Sequence, residues 1–166
     1  MTSGTLAGAR ATLRRFVLSI FLVTCIPTIL LWSFRTQIIE IWLGQSSDIT
    51  AISRYVEILL PGVALGALGF VPYSLLIKAK DYRFQAVLSA SMTITTLLLT
   101  VLAAAAKNVE AICIVYSAYH AISTLASWLR ATTRPEVKAY ARYSGALALL
   151  LIAGLVLALS VTKFTF

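Results

Sequence analysis

YVEILLPGVALGALGFVPYSLLIKAKDYRFQAVLSASMTITTLLLTVLAAAA, residues Tyr55–Ala106, decides the fold. It reads as an apolar span, a basic hinge (Lys78-Ala79-Lys80-Asp81-Tyr82-Arg83) and a second apolar span. Tyr55 to Ile77 gives 23 residues whose only formal charge is Glu57, and Phe84 to Ala106 gives 23 residues with none. A helix rises ~1.5 Å per residue, so about 20 apolar residues cross a ~30 Å hydrocarbon core. The stretch therefore predicts a transmembrane helical hairpin. Its cationic turn marks the cytoplasmic side by the positive-inside rule.

The rest of the chain extends the pattern. Of 166 residues, 60% are hydrophobic and 12% charged, with a mean hydropathy of +0.90. A soluble domain carries about 25% charged residues, so an ordinary soluble fold is excluded. The net charge of +8 does not point to nucleic acid, because the basic residues sit in short segments between spans. The expected spans are about 16–34, 55–77, 84–106, 109–129 and 144–162. They make an all-α integral membrane protein with five transmembrane helices and a single membrane domain over 1–166. Lys and Arg number ten on the side of the N-terminal tail, the 78–83 hinge and the 130–142 loop. The opposite side has four, Arg35, Arg54, Lys107 and Lys163. This asymmetry predicts a cytoplasmic N-terminus and an extracytoplasmic C-terminus.

Local features refine the spans. Pro27 frees the Val23 carbonyl and predicts a kink in span one. Arg35–Gly44 continues the helical spacing and either projects past the membrane or lies in the interface, with Gly44 as its stop. Trp32 and Trp42 suit an aromatic belt. Asp48 or Ser47 is placed to cap the next helix. Gly62, Gly66 and Gly69 step by four and three, so they share one side of span two and admit a close helix neighbour. Pro135 interrupts the 130–142 loop, and Gly154 with Ala158 offers a small-residue seam in span five.

Hydroxyl stripes mark spans three and four. Ser89, Thr93, Thr96 and Thr100 step by four, three and four, as do Tyr116, His120, Ser123 and Ser127. Such stripes either bond a neighbouring helix or line a wet cavity. The cavity-lining candidates are Tyr116, His120, Ser123, Thr93 and Thr96. His120 is the ionisable residue deepest in a span, either as a proton carrier or as a neutral ring bonded to a hydroxyl. Cys25 and Cys113 fall inside spans with no metal-ligand neighbour and read as packing residues. No P-loop, HExxH, nucleophile elbow or carboxylate pair occurs, so neither an enzyme nor a cofactor is expected.

Over about Leu13 to Ala131 the order of features resembles the C-terminal half of a polysaccharide or O-antigen flippase. That superfamily also holds the lipid II flippases and the multidrug and toxin extrusion transporters. The resemblance lies in IIEIWLG (Ile38 to Gly44), in YVEILLPGVALGALGFVPYSLLIKAKDYRFQ (Tyr55 to Gln85), and in the hydroxyl-rich span and further span that follow. These are soft motifs rather than catalytic signatures.

The resemblance implies an inner-membrane protein that moves polyprenyl-diphosphate-linked oligosaccharide outward by alternating access. Its partners are membrane lipids and that lipid-linked sugar. Lys78, Lys80 and Arg83 then lie at the cytoplasmic rim, where they either meet a diphosphate or simply set topology. The chain departs from the family in having five spans rather than twelve or fourteen, and no Lys or Arg deep in a span. It is expected to be a fragment, inactive without a missing N-terminal half or a partner copy. The alternatives are a multidrug extrusion-type antiporter, for which Glu57 is the nearest coupling carboxylate, and a non-transporting assembly subunit. A membrane-embedded glycosyltransferase would call for acidic or histidine pairs in the 35–54 loop, which has only Glu40 and Asp48.

Overall fold

A computed structural model describes residues 6–44 and 48–163, with side chains over 8–44 and 48–154. Among these residues every element is helical. The order is α1 (Leu6–Leu43), α2 (Ile49–Leu68), α3 (Phe70–Lys78), α4 (Tyr82–Ala105), α5 (Val109–Thr133) and α6 (Lys138–Lys163). Four helical segments are long and apolar enough to cross a membrane: Gly8–Leu43, Ile49–Lys78, Tyr82–Ala105 and Val109–Thr133. The chain fits a multi-pass membrane bundle. α6 covers the expected fifth span and begins six residues before it.

Large apolar side chains face outward in a way no soluble core tolerates. Val23 is 74% exposed, Leu102 66% and Leu150 72%. Lipid, not water, suits such a surface.

Prolines behave according to what replaces their lost hydrogen bond. Span two is not one helix but α2 and α3, broken at Gly69. Pro72 has no N–H to give the Leu68 carbonyl, and its ring crowds that carbonyl. The break falls there, and the chain restarts with the Tyr73 N–H donating to Gly69 at 3.1 Å. In α1 Pro27 stays within the helix. The non-helical residue is Phe34 (φ −117°, ψ 17°). Beside it, Arg35 Nη1 donates to the Trp32 carbonyl at 2.6 Å, and Nη2 lies 3.7 Å from Glu57 of α2. A guanidinium that captures a helix carbonyl and reaches for a neighbouring helix bends the ladder at that turn.

The connections are tight. Gly44 ends α1 at φ +71°, donating to Glu40 at 2.9 Å. Asp48 stands at the start of α2 but makes no side-chain cap, and Ser47 lies outside the described residues. The α3–α4 and α4–α5 turns are near copies, Ala79-Lys80-Asp81 and Ala106-Lys107-Asn108. In each the lysine is left-handed, at φ 56° and 54°. The residue after it donates five residues back, Asp81 to Leu76 and Asn108 to Ala103. This is a Schellman end with lysine where glycine is usual.

One apolar knot lies beside the Ala79–Asp81 turn. Leu75 and Leu76 of α3, Ala131 of α5, Val137, and Ala141 of α6 are buried together, flanked by Phe84 and Tyr140. Among the described residues nothing lies within 4 Å of a Cβ built on Gly154, the first residue of the expected seam. The side chain of Ala158 falls outside the described residues.

Candidate functional site

The centre of the bundle is the α2–α5 seam, and glycine makes it. A Cβ on Gly62 would overlap the Cα and Oγ of Ser117. One on Gly66 would fall 2.5 Å from His120 Nδ1, and one on Gly69 2.7 Å from Thr124 Oγ1. The two series rise together, so α2 and α5 run parallel. Thr124 Oγ1 adds a bond to the Leu65 carbonyl at 3.3 Å. At the start of the pair, Arg54 Nε donates to Glu110 Oε1.

A gap opens beside this seam, where α4 packs on α5. It is an open cleft of about 540 Å³ between the α2–α3 break, α3, the first half of α4, and α5. The walls are apolar and aromatic, with Phe70, Tyr73, Tyr82 and Met92. The floor is polar, with His120, Ser123 and Ser127 of α5. Gln85 faces it from α4, its Nε2 buried and without a hydrogen-bond partner among the described residues. His120 is half-buried between two rings on its own helix, Tyr116 at 4.9 Å and Tyr119 at 5.1 Å, both edge-on. Edge-on rings with a hydroxyl-lined floor suit a ligand with both apolar and hydrogen-bonding parts.

The expected site residues divide. His120 and Ser123 line the cleft, whereas Tyr116, Thr93 and Thr96 do not. Ser89 lines it from α4, but Thr93 points to the exposed side. The α4 stripe is thus split, because its packed face runs through Leu88, Met92, Thr96 and Ala103 instead. Lys78, Lys80 and Arg83 are exposed near the α3–α4 turn and do not line the cleft, and Lys78 Nζ stands 5.0 Å over the Tyr140 ring.

One cluster escaped the sequence pattern. Asp81 is buried, and its Oδ2 accepts from Arg130 Nε at 2.8 Å and Arg134 Nε at 2.6 Å. The two guanidiniums hold its carboxyl down at about 2. Arg130 also lies 5.2 Å over Phe84. The signal was one acid in a basic hinge and two arginines four apart, Arg130 in the last turn of α5 and Arg134 at its extended C-cap. Glu57, the nearest coupling carboxylate, is instead beside Arg35.

Comparison with family models, curated proteins and solved structures found no match.

Proposed function

We propose that this chain is a flippase-like transport protein of the inner membrane, or one body of such a carrier, for lipid-linked oligosaccharide. The observation that supports it is the open cleft: an aromatic wall and a hydroxyl-and-histidine floor on otherwise apolar helices. A sugar needs hydrogen-bonding groups and flat apolar faces, and a polyprenyl tail needs lateral access to lipid. The motif resemblance at Ile38–Gly44 and Tyr55–Gln85 points the same way. In this proposal five helices cross the membrane, and the N-terminus, the 79–81 turn and the 134–137 loop are cytoplasmic, following the charge asymmetry. Alternating access needs two bodies around a site, so this bundle works with a second one.

The antiporter reading loses support from the pairing of Glu57 with Arg35. An assembly subunit draws on the same cleft, which a partner helix would fill.

The experiment is Ser127→Leu in the producing cell at unchanged protein level. The readout is the share of polyprenyl-diphosphate oligosaccharide reachable from outside the inner membrane. Filling the cleft floor lowers that share if the chain moves this lipid. An unchanged share on Ser127→Leu and on deletion of the gene contradicts the proposal.

A further inference from the structure

Two different forces hold the two ends of α4. At its far end Ala103 is buried, and it is the helix's only buried residue among those described. The Ala106–Asn108 turn follows at once, tying α4 to α5. The other half, Tyr82 to Met92, lies along the open cleft and contributes Tyr82, Gln85, Ala86, Leu88, Ser89 and Met92 to its wall.

Phe84 packs on the apolar knot, and beside it this half is tied to the end of α5 by an ionic contact. Asp81 stands at the N-cap of α4 yet makes no cap bond. Its carboxylate is given to Arg130 on the last turn of α5 and to Arg134, the residue that caps its end. Phe84, one turn into α4, sits under Arg130. A cap would have stabilised the helix start by itself. Here the same side chain joins α4 to another helix.

We propose that α4 is a hinged flap over the cleft and that Asp81 is its latch. When Asp81 leaves Arg130 and Arg134, the Tyr82–Met92 half moves off α5 about the Ala106–Asn108 turn. The cleft floor at Ser123 and Ser127 then opens toward the 79–81 end. The proposal does not depend on what the cleft binds.

Thiol accessibility tests it without substrate. Ser127→Cys is made in the full chain with Cys25→Ala and Cys113→Ala, and its reaction with a membrane-impermeant maleimide is timed in native membranes. Asp81→Asn, and separately Arg130→Gln with Arg134→Gln, should each speed labelling by about tenfold, as losing charge-assisted hydrogen bonds shifts an opening equilibrium. Ala148→Cys, buried on α6 away from the cleft, should stay at its slow rate in all backgrounds. Unchanged labelling at position 127 in both latch variants would overturn the proposal. So would an equal rise at position 148, which marks a generally loosened bundle.

Discussion

Gly66 and His120 meet face to face across the α2–α5 seam, so closely that a Cβ on residue 66 would lie 2.5 Å from the imidazole Nδ1. The ring is fixed from behind by Tyr116 and Tyr119. The same contact therefore sets the distance between two parallel helices and holds the histidine at the cleft's edge. Structure and candidate function share one seam.

Substitution along that seam should be graded by what must move. Gly62→Ala meets Ser117 backbone and should cost about 3 kcal/mol, the upper range for overpacking. Gly66→Ala meets a side chain that can shift and should cost about 1–2 kcal/mol. Gly154→Ala meets open space and should gain about 0.5–1 kcal/mol from helix propensity. Unfolding in detergent, followed by circular dichroism, ranks the three.

Hydroxyls on and off the seam should separate in the same assay. Thr124→Val loses the bond to the Leu65 carbonyl and should cost about 0.6 kcal/mol, the average for interhelical hydrogen bonds in a membrane. Thr93→Val, on the exposed face of α4, should change nothing measurable.

The pairing of Asp81 with two arginines makes stability depend on acid. Its carboxyl lies at about 2 when folded, against an ordinary 3.8. The folded state therefore favours the ionised form. That contribution is complete above the ordinary value and is lost as pH falls from about 4 through about 2. Asp81→Asn should lower the unfolding temperature at pH 6 and flatten its fall between pH 4 and pH 2. Equal acid sensitivity in both proteins would contradict the pairing.

Both copied turns place a lysine in the left-handed region. A side chain there costs about 1 kcal/mol relative to glycine. Lys107→Gly should raise stability by about 0.5–1 kcal/mol, and Lys107→Val should lower it by a similar amount. Lys80→Gly should follow Lys107→Gly in sign, and thermal unfolding decides both.

The helices were legible because apolar length and charged turns are written locally. Tyr55–Ala106 announces a hairpin, and the four-three spacing of Gly62, Gly66 and Gly69 announces a close neighbour. Which neighbour it meets did not follow, because Ser117, His120 and Thr124 lie over fifty residues away and only His120 belongs to the stripe read on that helix. Why Pro72 follows a helix break while Pro27 and Pro61 stay inside their helices is not written locally. A proline breaks a helix only where nothing else suits the freed carbonyl, and that depends on packing. Asp81 was hidden by its surroundings: in a hinge of lysines and arginines, one acid looks incidental until Arg130 and Arg134 arrive from α5.

The most direct test of the whole account is sidedness. Single cysteines replace Lys80, Glu136, Asp48 and Lys107 in a chain with Cys25→Ala and Cys113→Ala, and sealed membranes are labelled from one face at a time. Positions 80 and 136 should label from the cytoplasmic face, and positions 48 and 107 from the opposite one. Labelling of 80 and 107 from the same face would mean that α4 does not cross the membrane, and the bundle, the cleft and the proposed transport would fall together.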